Sequence, residues 1–182
     1  MLNNLLIYRM LVVNTCVAAL FIWATMQGYV QTIIEGDSSR ITLGIIGLFA
    51  IGIWSLGVRT FKVSTVLNRL KRGEAVSVDA AKFIAKGEHI DDISGWLVTL
   101  GLIGTVVGFI MALSSMDQGA MATAQGVQAA IGKLVEGMQV AIYTTLAGAF
   151  FGLWIDINRR ILKTATILMI EDSNSSVAVA VE

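Results

Sequence analysis

Three hydroxyls stand where few polar groups do. Thr105 follows Gly104 in an uncharged run of 24 residues, 93–116, and Thr144 and Thr145 precede Gly148 by four and three residues in another of 19, 137–155. A hydroxyl donates one hydrogen bond and accepts two without adding charge, so in an apolar setting it can meet a group that gains and loses charge. It can equally bond back to a carbonyl of its own helix, and both readings stand at this point. Residues three or four apart share a helix face, so Thr105 and Thr145 each border a glycine face that a second helix can approach. Gly101, Gly104 and Gly108 in the first run, and Gly137, Gly148 and Gly152 in the second, supply those faces. Gly104/Gly108 and Gly148/Gly152 are GxxxG pairs, whose ordinary role is helix packing.

Other chemistry is scarce. One histidine, His89, and one cysteine, Cys16, exclude a multi-histidine metal site, a thiolate zinc cluster and a disulfide framework. Neither a phosphate-binding loop, a catalytic triad nor a paired carboxylate is visible, so the expectation is a protein that is not an enzyme and has no cofactor and no metal. Glu136, three residues after Lys133, is expected to pair with it on one helix face; its functional alternative is an outer-mouth acid that attracts cations. Asp156, Asn158, Arg159 and Arg160 are expected to be solvated anchors, with Asp156 also placed to help cations leave. Asn14, Thr15 and Cys16 are expected to bond to neighbouring helices.

The elements that position these groups follow from composition. Of 182 residues, 55% are hydrophobic and 14% charged, with 13 basic and 13 acidic side chains, against ~25% charged in a soluble domain. Balanced charge removes the basic footprint of nucleic-acid binding. The apolar residues fall into four runs, giving spans at about 10–34, 41–58, 94–116 and 134–157, near the ~20 residues a bilayer-crossing helix needs. The first is too long for the apolar core of a cleavable signal peptide. With no proline in the chain, the helices are expected to be straight. The fold class is therefore an all-α membrane protein, one membrane domain over 1–182. A cytoplasmic helical segment at 59–93 separates the second and third spans, and a C-terminal helix and tail occupy 158–182.

With the N-terminus cytoplasmic, eleven Lys and Arg fall inside and only Arg40 and Lys133 outside, a clear positive-inside bias. Both termini are therefore expected in the cytoplasm. The second span is expected to continue into the cytosol and stop at Gly73, and 79–86 to form a short surface helix. Residues 118–132 read as a connector or an extension of the last helix, and 172–176 as a disordered tail. Trp23, Trp54, Trp96 and Trp154 sit towards span ends, as interface anchors do.

Leu100-Gly-Leu-Ile-Gly-Thr-Val-Val-Gly followed by Gly137-Met-x-x-Ala-Ile-x-Thr-Thr-Leu-Ala-Gly resembles the MotA/TolQ/ExbB ion-channel family, well over roughly residues 95–160. The resemblance implies a stator-type subunit of an ion-driven rotary motor in the bacterial inner membrane. Such a subunit forms a homo-pentameric ring around a dimer of a single-span MotB/ExbD/TolR-like partner. Each partner helix carries one membrane aspartate that loads and unloads the ion, and the ring offers threonines that face it, here Thr105, Thr144 and Thr145. No acid or base lies inside the first three spans, and an intramembrane carboxylate needs a polar counterpart, so the residues agree with that division of labour. The transported ion is taken to be H+; the three-threonine set also resembles the Na+-driven type, whose oxygens replace part of a hydration shell. A non-conducting oligomeric membrane scaffold is the reading from another class. Val98 and Tyr143 stand where family members often carry proline, four spans match MotA rather than TolQ or ExbB, and the cytoplasmic segment is shorter than in flagellar MotA.

Overall fold

Long apolar runs without proline leave the backbone one way to satisfy its own polar groups in a bilayer, which is to coil as α-helix. A computed structural model of the chain describes residues 2–72, 88–114 and 123–181. Among these residues it is all helical: α1 (Leu2–Met26), α2 (Tyr29–Gly36), α3 (Ile41–Lys71), α4 (Glu88–Ser114) and α5 (Ala124–Val181). Four helices are long and apolar enough to cross a membrane, over Tyr8–Met26, Ile41–Val66, Asp92–Ser114 and Ala124–Leu168. The protein is a multi-pass membrane protein.

The boundaries depart from the sequence expectations in three places. The uncharged run 10–34 is not one helix, because Gly28 takes φ +82° and ends α1 two residues earlier. A left-handed φ costs glycine no side-chain clash, so a chain without proline still breaks, and α2 starts afresh at Tyr29. Helix α3 does continue past the second span, reaching Lys71 before a turn at Arg72; Gly73 and the helix expected at 79–86 lie outside the described residues. At the C-terminus, α5 runs on through 172–176 to Val181, where a disordered tail was expected. No glycine or proline follows Gly152 to stop it.

Helix α4 lies along α5 in the most extensive contact of the fold; α3 packs on both, and α1 and α2 lean on α5 more lightly. Ile45, Leu97, Ile155, Val63 and Val140 are the largest fully buried apolar side chains among the described residues. Phe21, Phe49, Phe150, Phe151 and Trp154 join α1, α3 and α5, with the rings of Phe49 and Phe151 4.4 Å apart. In the short α2–α3 connector the buried Asp37 caps α3: its carboxylate accepts from the N–H of Thr42 at 2.7 Å and of Ser39 at 3.1 Å, and from the Ser39 hydroxyl. Burial pushes its pKa up, but the donors on Ser39 and Thr42 outweigh that and hold it below its ordinary value.

Candidate functional site: the seam between α4 and α5

The seam is built from small residues. A Cβ on Gly108 would stand 2.5 Å from the Gly137 carbonyl oxygen, one on Gly137 2.5 Å from the Gly108 carbonyl oxygen, and one on Gly148 2.6 Å from that of Leu97. Gly101 faces the backbone of Thr144 and Thr145, Gly104 the Thr144 side chain, and Gly152 Val98 and Ser94. All six glycines singled out in the sequence thus lie where α4 and α5 touch. The Ser94 hydroxyl adds a bond across the seam to the Gly152 carbonyl at 3.1 Å.

That closeness brings two hydroxyls together. Thr105 Oγ1 and Thr145 Oγ1 hydrogen-bond to each other, and both reach one acceptor, the Gly101 carbonyl oxygen, at 3.3 Å from Thr105 and 3.2 Å from Thr145. Each hydroxyl owns a single proton. With one donated to Gly101 and the other shared between the pair, the lone pairs left over are acceptors. Both residues are half-buried, so those acceptors are offered at the edge of the seam. A protonated carboxyl could donate there, a cation could be ligated there, and rotation of one hydroxyl would turn a donor outward to a carboxylate.

Thr144 behaves differently. It is fully buried, bonds back to Val140 at 2.8 Å and Ala141 at 3.3 Å, and presses its side chain onto Gly104. The two readings left open for the threonines are therefore divided among them. Thr144 fills the seam, whereas Thr145 spends its hydroxyl across it.

The seam is bracketed by two polar levels. At one, Glu136 accepts a 2.8 Å bond from Ser38 in the α2–α3 connector, rather than forming the ion pair expected with Lys133. At the other, the Asn14 amide of α1 meets Asn158, with Asn14 Nδ2 donating to Asn158 Oδ1 at 2.6 Å and Trp154 Nε1 donating to Asn14 Oδ1 at 2.8 Å. Glu136 and Asn158 are twenty-two residues apart on one helix, about 33 Å at 1.5 Å per residue, which matches a hydrocarbon core of ~30 Å. Thr145 lies between them, near mid-depth.

The second level corrects two sequence readings. Asn158, taken as a solvated anchor, is 1% exposed, and Trp154 turns its indole N–H inward while Trp23, Trp54 and Trp96 stay exposed. Their spacing of four along one helix face was the available signal. Asn14 bonds across to a neighbouring helix as expected, but Thr15 and Cys16 lie on the exposed side of α1. Asp156 is held by Arg159 at 2.6 Å and Arg160 at 2.8 Å. Replacing Asn14 by Leu takes the donor from the buried Asn158 Oδ1 and the acceptor from the Trp154 N–H and is expected to cost about 1–3 kcal/mol. Thermal unfolding in detergent checks this, and the double variant with Asn158→Leu is expected to regain only part of the loss, because the Asn158 amide is removed while the Trp154 N–H still lacks the acceptor that Asn14 gave it.

The model of the MotA/TolQ/ExbB proton channel family matches residues 67–170, more than half of the chain and the whole of the α4–α5 seam. No curated protein and no solved structure matches the chain.

Proposed function

The chain belongs to the MotA/TolQ/ExbB proton channel family, and from that we propose that it is the ring-forming subunit of a proton-driven rotary motor. In this reading five copies enclose two single-span partner helices in the bacterial inner membrane, with both termini cytoplasmic. Each partner helix carries one membrane aspartate. It is a channel subunit rather than an enzyme, and H+ is its transported ion.

The observation that supports this best is the convergence of the Thr105 and Thr145 hydroxyls on the Gly101 carbonyl at mid-depth. A charged carboxylate in a bilayer is costly, so it moves past apolar helices only when protonated or when donors meet it. The pair serves both states. Its outward lone pairs accept from the protonated acid, and after the proton leaves towards the cytoplasm one hydroxyl rotates to donate to the carboxylate. Thr144 holds Gly104 and the seam in place behind them. Repetition around a ring lets successive subunits pass the aspartate on, which converts ion flow into rotation. The same oxygens suit Na+, so ion dependence is the natural second measurement.

Native mass spectrometry of the detergent-purified protein, co-expressed with the product of the neighbouring gene, which this reading expects to be a single-span protein, tests the assembly. Five copies with two of the partner are expected. A ring of another size, or no bound partner, would leave the glycine seam as mere packing and favour a non-conducting scaffold.

A further inference from the structure

Eleven residues, three helical turns, separate Thr145 from Asp156 on α5, so the two stand on one face, with Ala149 and Gly152 between them. Helix α4 carries the matching stripe in reverse, with Ser94, Val98, Gly101 and Thr105 at the same spacing. The two stripes meet edge to edge: Thr105 bonds to Thr145, and the Ser94 hydroxyl donates to the Gly152 carbonyl at 3.1 Å. One edge of the seam therefore runs about 16 Å, at about 1.5 Å per residue, from the hydroxyl pair to the Asp156 carboxylate. Along it α5 places nothing longer than the methyl of Ala149, which is exposed. Asp156 closes the run, half-buried, and both its oxygens are engaged. Arg159 donates to Oδ1 from Nε at 3.1 Å and from Nη2 at 2.6 Å, and Arg160 donates to Oδ2 from Nε at 2.8 Å. Two guanidinium groups and one carboxylate leave this cluster a single net positive charge; without the carboxylate it would carry two.

We propose that this edge is the route by which the ion leaves the hydroxyl pair, and that Asp156 is the positioning residue at its exit, where it holds Arg159 and Arg160 and cancels half of their charge. The inference rests on the motor reading and deepens it, naming the path of release and the residue that controls its end. The Ser94 hydroxyl spends its one proton on Gly152 and keeps its lone pairs, which gives a hydrated proton or Na+ a stopping point on the way. At the exit a cation meets like charge, and one uncompensated guanidinium more at a low-dielectric edge raises the barrier to leaving.

Proton flux through proteoliposomes holding the full-length chain and its single-span partner, measured at low and at high salt, tests this. Relative to the wild type at the same salt, Asp156→Asn is expected to lower flux about three- to tenfold at ~0.01 M, where the screening length is ~30 Å, and to come within about twofold at ~1 M, where it is ~3 Å. Adding Arg160→Gln to Asp156→Asn returns the cluster to one net charge and is expected to restore about half of the wild-type flux or more. Asp156→Glu keeps the carboxylate and is expected to conduct. An ion pair that only braces the helix predicts otherwise: a double variant no better than the single one, and a deficit that salt does not relieve. That result overturns the proposal. A wild type that conducts beside an unaffected Asp156→Asn overturns it alone, whereas a wild type without flux overturns it together with the motor reading.

Discussion

Thr145→Val is expected to cut proton flux through the partnered complex by about ten- to a hundredfold while leaving the assembly intact. Valine keeps the shape of threonine and removes only the hydroxyl that crosses the seam to Gly101 and meets Thr105. A buried carboxyl that loses its partner forfeits about 1–3 kcal/mol, and that enters the barrier to each ion step in full. Proteoliposomes loaded with a pH-sensitive dye and reconstituted with the single-span partner give the flux; size-exclusion chromatography gives the assembly. Thr145→Ser keeps the hydroxyl and is expected to conduct. Thr144→Val is expected to conduct as well, since the Thr144 hydroxyl bonds only within its own helix. Wild-type flux in Thr145→Val would sink the role assigned to the pair.

The second large effect concerns Gly148. A single methyl there must stand 2.6 Å from the Leu97 carbonyl oxygen and 2.9 Å from the Gly101 Cα. Both are backbone atoms on a packed helix, so the helices have to part rather than a side chain swing aside. Such overpacking costs about 1–3 kcal/mol, and here it also pulls Thr145 away from the Gly101 carbonyl that it reaches. Gly148→Ala is therefore expected to lower both the unfolding temperature in detergent and the ion flux. Gly44→Ala is the matched control, because a Cβ at that position meets nothing within 4 Å. Alanine is worth up to about 1 kcal/mol over glycine in a helix, so this variant is expected to be neutral or slightly more stable. If the two alanine variants unfold alike, close approach at the seam is not what holds α4 to α5.

Much of this is legible in the sequence. The four spans follow from charge-free length, since a bilayer allows one backbone solution for an apolar run. The glycine faces of α4 and α5 follow from the helical repeat, and their pairing with threonines is what carries the family resemblance. The first span's break was harder to see. Gly28 sits in an apolar run where glycine is ordinary, and nothing local distinguishes a glycine that adopts a left-handed φ from one that only packs. The sequence around Asn158 misleads for a related reason. Beside Asp156 and two arginines it looks like part of a solvated end, and only the approach of Asn14 from a residue 144 positions away makes it a buried partner.

The sequence by itself determined that this chain belongs in a membrane, that four of its apolar runs are long enough to cross one, and which two helices carry small faces with hydroxyls beside them. Those are consequences of composition and of a period of 3.6 residues, and both are local. The tertiary structure alone decided which threonine does what. Thr144 and Thr145 are adjacent and chemically identical, but successive helical residues point about 100° apart. One therefore falls into the seam against Gly104 and the other reaches its edge beside Thr105, and the outcome depends on the rotation of α5 about its axis. That rotation is set where glycine backbones of two helices meet, at Gly108 against Gly137 and Gly101 against Gly148, positions far apart in sequence.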